Sequence, residues 1–299
     1  MSPRWRSAAS RGGTHHRAEQ LAAALPPLMV AAERVASTVS QGVHGRRRVG
    51  QGETFWQFRR YEFGDSVQLI DWRQSAKSDP VYVRETEWEA AQSVWIWRDG
   101  SPSMEFGSAA DAETKRDRAD LLVLALASLL IRGGERVALL ETGMIPASGR
   151  AVLNRMWAMI EGGQTPATSL PRREVLPRYA RLVLVGDFLS PLDDIAATVD
   201  GYARRGLRGH LVQVLDPAEE RLPYDGRILF DGPEAEGEVL ISHVESLRQD
   251  YGRELAAHRA GIEAIARRFG WSFMTHRTDH SPEQALMALY LQLSESLHA

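Results

Sequence analysis

The chain has 299 residues, of which 43% are hydrophobic and 25% charged, with a formal net charge of −3. These are ordinary globular values, sufficient for one large or two smaller domains with a substantial core. The acidic balance argues against general nucleic-acid binding. The absence of cysteine removes disulfides, thiolate zinc sites and cysteine nucleophiles together and fits a reducing compartment. No apolar segment reaches the roughly 20 residues of a membrane-spanning helix. The most apolar run, Leu121 to Ile131, lies between Asp120 and Arg132 and reads as a buried helix. No signal peptide is visible before Glu19. The expectation is a cytoplasmic protein with no transmembrane segment and no nucleic-acid partner.

Taken in order, residues 1–17 form a basic tail with Arg4, Arg6, Arg11 and Arg17 and no apolar periodicity, expected to be disordered. Residues 18–40 carry helical apolar spacing, interrupted at Pro26-Pro27, which predicts two short helices. A basic cluster follows, His44-Gly45-Arg46-Arg47-Arg48, expected to be a solvated loop. Residues 53–90 are rich in aromatic and β-branched residues in short runs and predict a β-rich subdomain, with Val81-Tyr82-Val83 as one strand. From residue 91 the pattern changes to alternation. Strands are predicted over 93–98, 136–140, 182–185, 210–215 and 271–275, and helices over 113–132, 150–160, 192–205, 243–269 and 282–297. Residues 227–230 and 238–242 pair as a hairpin. Strand–helix alternation predicts a mostly parallel, Rossmann-like α/β sheet over 91–299, preceded by the helical and β-rich segment 18–90.

The stretch with chemistry is Ser93-Val94-Trp95-Ile96-Trp97-Arg98-Asp99-Gly100-Ser101-Pro102-Ser103. An apolar strand stops at a turn, and the loop that leaves it carries Asp-x-Ser-x-Ser. Loops at the carboxyl ends of parallel strands are where α/β sheets hold ligands. One carboxylate and two hydroxyls suit Mg²⁺, which prefers octahedral oxygen donors. They leave its charge only partly neutralised, so the ion can accept a further carboxylate. Asp187, after the strand 182–185, and Thr165, in the loop Glu161-Gly162-Gly163-Gln164-Thr165-Pro166, are placed to open on the same rim.

Asp99-Gly100-Ser101-Pro102-Ser103-Met104, Gly163-Gln164-Thr165 and Val185-Gly186-Asp187-Phe188 resemble the metal-ion-dependent adhesion site of von Willebrand factor A domains. Gly50-x-Gly52-Glu53, Phe58-Arg59-x-Tyr61, Gly64-Asp65, Ile70-Asp71-Trp72-Arg73 and Ser75-Ala76 resemble the bacterial family 58 of domains of unknown function, over nearly the whole chain beyond the tail. The resemblance implies a von Willebrand factor A-like domain holding Mg²⁺, or Mn²⁺ or Ca²⁺, through Ser101, Ser103 and Thr165 directly and through Asp99 and Asp187 directly or by way of water. Gln164 departs from the Gly-Gly-Thr run usual in the threonine loop, which makes Thr168 the alternative to Thr165. Family members are commonly encoded beside MoxR-type AAA+ ATPases. The resemblance therefore implies such a partner, an adaptor or assembly role without catalysis, and a protein ligand that donates a carboxylate.

Two rivals stand beside this reading. A haloacid-dehalogenase-like phosphatase would use Asp99 as nucleophile, but such sites place a second aspartate two residues on, where this chain has Ser101. An interaction scaffold with the fold and no metal would use the polar loop structurally. The Walker, Gly-x-Ser-x-Gly and His-Glu-x-x-His patterns are absent. The nine histidines, among them His15, His16, His210, His276 and His280, are scattered rather than spaced as ligands.

Overall fold

The computed structural model describes residues 27–44, 54–61, 70, 72–76, 80–87, 93–108, 113–178, 180–232 and 237–297. The basic tail, the first of the two expected N-terminal helices and the Arg46–Arg48 cluster lie outside the described residues. The chain divides into two compact units, His44–Ala91 on one side and Gln92–Ala299 with the N-terminal segment through Val43 on the other.

Helix α1 (Pro27–His44) begins with proline at its first position, where the missing N–H is no loss. Met29, Ala32, Val35, Ala36 and Val39 recur at helical spacing, and all five are buried in the core of the larger unit. The helix therefore belongs with the parallel sheet, although in sequence it stands beside the β-rich segment.

In the smaller unit, β1 (Thr54–Arg60) pairs antiparallel with β2 (Tyr82–Glu87), with one irregularity between Phe55 and Gln57. Between them lies a one-turn helix, α2 (Trp72–Ser75). Trp72 reads as strand material in sequence, yet it opens this turn and is 67% exposed. A side chain this exposed gains little from the half-buried packing that underlies β preference. The Ser75 hydroxyl accepts the Tyr82 N–H at 2.8 Å and so ties the turn to β2.

The larger unit is built on five parallel strands: β3 (Ser93–Arg98), β4 (Arg136–Leu139), β5 (Arg181–Gly186), β6 (Arg208–Leu215) and β9 (Ser272–Arg277). Their order across the sheet is β4-β3-β5-β6-β9. The connecting helices are α3 (Lys115–Arg132), α4 (Arg150–Glu161), α5 (Leu192–Ala203), the short α6 (Pro217–Arg221), α7 (Arg248–Arg268) and, after β9, α8 (Pro282–Leu297). Contacts pair α3 with α8 and α5 with α7, as right-handed crossovers on two faces of a sheet produce.

Residues Arg118 to Leu130 of α3 are all buried. A helix apolar on every side is a core helix, and this one is enclosed by the sheet, α4 and α8. It is also tied to α1, because the Ser128 hydroxyl donates to Glu33 at 3.1 Å and Arg132 pairs with the same carboxylate. Strands β7 (Ile228–Gly232) and β8 (Gly237–Ile241) form the expected hairpin. The helix expected over 243–269 starts later, at Arg248, after a single tight turn over Val244–Ser246.

The chain runs from β3 to β4 on one side, then crosses back over β3 to β5 on the other. The carboxyl ends of β3 and β5 thus flank the crevice where strand order reverses, the usual ligand position in such sheets.

Candidate functional site

Asp99 follows β3 and Asp187 follows β5, so both carboxylates stand at that crevice. The Asp99 N–H continues the ladder onto Val185 O at 2.8 Å. Gly186 makes the approach possible: a Cβ on it would stand 2.7 Å from Asp99 Cβ and 2.8 Å from Asp99 Oδ2. Gly100 serves the neighbouring crossing, where a Cβ would lie 2.2 Å from the Pro166 carbonyl oxygen. Its N–H reaches Thr168 O at 3.3 Å, so the threonine loop lies against the Asp-x-Ser-x-Ser loop.

The side chains form a continuous polar chain. Asp99 Oδ1 accepts from the Ser101 N–H at 2.9 Å and from Ser101 Oγ at 2.5 Å. The Ser101 and Ser103 hydroxyls are 3.0 Å apart. Ser103 Oγ donates to Asp187 Oδ2 at 2.7 Å. Asp187 is aimed by its surroundings: its carbonyl accepts from Gln213 Nε2 at 2.8 Å, and its Oδ1 accepts the Leu189 N–H at 3.2 Å. Phe188, the next residue, holds φ 50° in the left-handed region, and its carbonyl is paired with His258 Nε2 at 2.7 Å. A non-glycine residue held in the left-handed region next to a polar side chain is the kind of backbone strain that clusters at built sites.

A residue the sequence pattern does not single out completes the cluster. Lys115, the first residue of α3, is fully buried. Its ammonium donates to Asp187 Oδ2 at 2.9 Å and to Glu219 Oε1 at 2.6 Å. Burial alone would lower its pKa, but the charges and hydrogen bonds of Asp187 and Glu219 raise it above the ordinary lysine value. Glu219 is set by a capping box: Asp216, at the end of β6, accepts from the Ala218 N–H at 2.7 Å, and Glu219 Oε2 accepts the Asp216 N–H at 2.8 Å. The local signal for that box is legible as Asp216-Pro217-Ala218-Glu219. Nothing local marks Lys115.

Asp99 is the destabilised member. Burial first, and then the charge of Asp187, push its carboxyl up to about 6 against the hydrogen bonds from Ser101. Its Oδ2 is buried without a hydrogen-bond partner.

The residues expected to form the site are not all brought together. Asp99, Ser101, Ser103 and Asp187 converge. Thr165 is drawn elsewhere: its hydroxyl accepts from Arg98 Nη2 at 2.9 Å, and the buried Arg98 guanidinium is itself held by Asp120 at 2.8 Å. Thr168, on the same loop and beside Gly100, has a buried hydroxyl with no partner. Among the described residues, no group of three carboxylate or imidazole side chains forms a ready-made metal cage. The donors are two aspartates and hydroxyls.

Similar solved structures are the conserved hypothetical protein BatB from Bacteroides thetaiotaomicron (14% identity, TM-score 0.39, 68% of this chain and 99% of that one) and an aerotolerance-related membrane protein from Bacteroides fragilis (13%, 0.39, 68% and 99%). A third is an uncharacterized membrane spanning protein from Vibrio fischeri (14%, 0.18, 68% and 100%). These scores carry no argument about the fold. The names do correct the expectation of a cytoplasmic protein, since two of the three are membrane proteins. The features behind that expectation do not decide the matter, because a globular domain beside a membrane needs neither cysteine nor a spanning segment of its own. What stands is narrower: no helix among the described residues is long and apolar enough to cross a membrane. Among curated proteins, the uncharacterized proteins Rv1480 of Mycobacterium tuberculosis and Mb1516 of Mycobacterium bovis are each 29% identical over 276 residues, 87% of this chain and 86% of theirs. Residues 57–261 match the family described as protein of unknown function DUF58, and the chain belongs to that family.

Proposed function

We propose that this protein is a non-enzymatic protein-binding module of the von Willebrand factor A type, whose crevice holds a divalent cation that a partner's carboxylate completes. The observation that carries the reading is the convergence of Asp99, Ser101, Ser103 and Asp187 at the point where strand order reverses. Adjacent oxygens around octahedral Mg²⁺ with 2.0–2.1 Å bonds stand about 2.9 Å apart. Ser101 Oγ to Ser103 Oγ is 3.0 Å and Ser103 Oγ to Asp187 Oδ2 is 2.7 Å, so the donors already have the spacing of neighbouring ligands. The partnerless Asp99 Oδ2 and Thr168 Oγ1 add two oxygens with unused capacity. Ser101, Ser103 and Thr168 would supply hydroxyls, and Asp99 and Asp187 the carboxylates, directly or through water. In this reading Thr168, the alternative to Thr165, takes the role that the resemblance implies for Thr165.

The ion supplies positive charge that two carboxylates, one shared with a lysine, do not fully neutralise. This chain's residues hold the oxygens in place, and Phe188, Gln213 and His258 fix the direction of Asp187. The partner we propose is a MoxR-type AAA+ ATPase or a client presented to it, on the family resemblance. Mg²⁺ or Mn²⁺ binding to the purified protein, measured by calorimetry and lost in Asp99→Ala with the circular dichroism spectrum unchanged, is the expected result. No binding heat in the wild type, or equal heat in the variant, refutes the reading. Retention of the ATPase on the immobilised protein in Mg²⁺, and its loss in EDTA, tests the partner.

A second reading rests on Lys115. Its ammonium already gives Asp187 a cation, so the crevice could serve as a metal-free polar lock in an interaction scaffold. That reading predicts no shift in melting temperature with Mg²⁺ and a severe loss of stability on removing Lys115.

A further inference from the structure

Lys115 occupies an expensive position. An ammonium taken out of water meets a desolvation penalty of several kcal/mol, and one in the first turn of a helix also faces the positive end of the helix dipole. The first turn of α3 does not need it: Thr114 accepts the Asp117 N–H at 3.1 Å, and Asp117 Oδ2 accepts the Thr114 N–H at 3.1 Å, a complete capping box. The lysine is retained by two carboxylates from two other strand ends, Asp187 after β5 and Glu219 after β6. On Asp187 it uses Oδ2, the oxygen that also receives Ser103 Oγ.

We propose that Lys115 sets the cation affinity of the crevice: its ammonium competes with the divalent ion for Asp187, and Glu219 is the acceptor that keeps the lysine when the ion takes that carboxylate. The inference rests on the metal reading above and specifies its regulation. Two positive charges on either side of one carboxylate repel, and inside a protein that repulsion is several times what it is in water. The crevice therefore holds its ion weakly on its own. A carboxylate brought by the partner adds the negative charge that favours the ion, so ion and partner bind with positive, reciprocal coupling. Glu219 can keep the lysine because it is fixed independently, through its Oε2 on the Asp216 N–H.

The two neighbours give opposite expectations, which a merely structural role would not. Lys115→Met removes the competing charge and should tighten Mg²⁺ binding by about tenfold or more. Glu219→Gln leaves the whole ammonium on Asp187 and should weaken binding by a similar factor. Since Lys115→Met alone exposes two buried carboxylates to each other, the double variant Lys115→Met/Glu219→Gln keeps the test usable if the single one fails to fold. It should bind more tightly than the wild type. The readouts are the calorimetric Kd for Mg²⁺ and the rise in melting temperature between EDTA and Mg²⁺, on full-length protein with native circular dichroism.

Wild-type binding that is unchanged or weakened in the folded lysine variants overturns the role of Lys115 and leaves the metal site standing. Tighter binding in Glu219→Gln does the same. Binding in the lysine variants but not in the wild type overturns the metal reading for the natural protein, and the inference that rests on it, while showing that the lysine charge alone blocks the crevice. No binding in any folded variant overturns both.

Discussion

The closeness of the two strand ends can be tested at Gly186. An alanine methyl there would stand 2.7 Å from Asp99 Cβ, 2.8 Å from Oδ2 and 3.2 Å from Cγ. Relaxed contacts between carbon atoms are about 3.5–4.0 Å, so the deficit is near 1 Å against Cβ and Oδ2 and about half that against Cγ. Asp99 cannot yield cheaply. Its N–H is committed to Val185 O, and its Oδ1 to Ser101 N and Oγ. Either β3 and β5 separate at their ends or the carboxylate leaves its serine partners. Overpacking of this kind costs about 1–3 kcal/mol. At about 2–4 °C per kcal/mol for a unit of this size, Gly186→Ala should lower the melting temperature by roughly 2–12 °C. The assay is thermal and urea unfolding followed by circular dichroism, with Gly252→Ala as the control. Gly252 lies within α7 with nothing within 4 Å of its added Cβ, so alanine there should add about 0.5–1 kcal/mol through helix propensity alone. A Gly186→Ala protein as stable as the wild type, with unchanged m-value, would refute the packing argument and with it the close approach of Asp99 to the end of β5.

Other perturbations follow from the same contacts. Met29→Ala removes a side chain of α1 that is 1% exposed and should cost about 2–5 kcal/mol in urea unfolding, whereas Glu33→Ala, at a partly exposed ion pair, should cost less than about 1 kcal/mol. Thr114→Ala breaks the capping box of α3 and should cost about 0.5–2 kcal/mol, with a native spectrum. Burial, and then the Arg118 charge, hold His276 down at about 4 from 6.5. A group whose folded pKa is depressed in this way, and whose neutral form is the buried one, stabilises fully above 6.5 and loses that contribution as pH falls from 6.5 to 4. The loss between pH 7 and pH 5 is about 2 kcal/mol. His276→Gln should therefore shrink the difference in urea midpoint between those two pH values, and an undiminished difference would count against a buried neutral imidazole.

Much of the fold is legible because its signals are local. Val94 to Trp97 and Leu182 to Val185 are apolar runs of strand length ended by Asp-Gly or Gly-Asp, and both are buried parallel strands. Leu121 to Leu130 reads as an apolar helix and is enclosed on all sides. What is not legible is decided by tertiary partners. The face of α1 can be read from its spacing, but not the surface that receives it. Trp72 belongs to an aromatic-rich run, yet its side chain is mostly exposed. Thr165 and Thr168 are three residues apart on one loop, and what distinguishes them is Arg98, which holds the Thr165 hydroxyl. That residue looks like the polar end of a strand, but it is buried, and its guanidinium captures the nearer threonine.

The charge balance of the crevice shows the same limit most sharply. The hydroxyls lie two residues apart on one loop, so their chemistry is visible in eleven residues of sequence. The counter-charge is not. Lys115 reaches Asp187 across 72 positions and Glu219 across 104, and it meets them only because two crossovers return to the same rim of the sheet. Without it, Asp99, Asp187 and Glu219 would place three carboxylates around one crevice, an arrangement that like-charge repulsion disfavours. With it, one ammonium answers Asp187 and Glu219, while Asp99, with a raised pKa and a partnerless oxygen, is left short of positive charge. In the proposed reading the hydroxyls give a cation its oxygens, and the imbalance around Asp99 gives it a reason to bind.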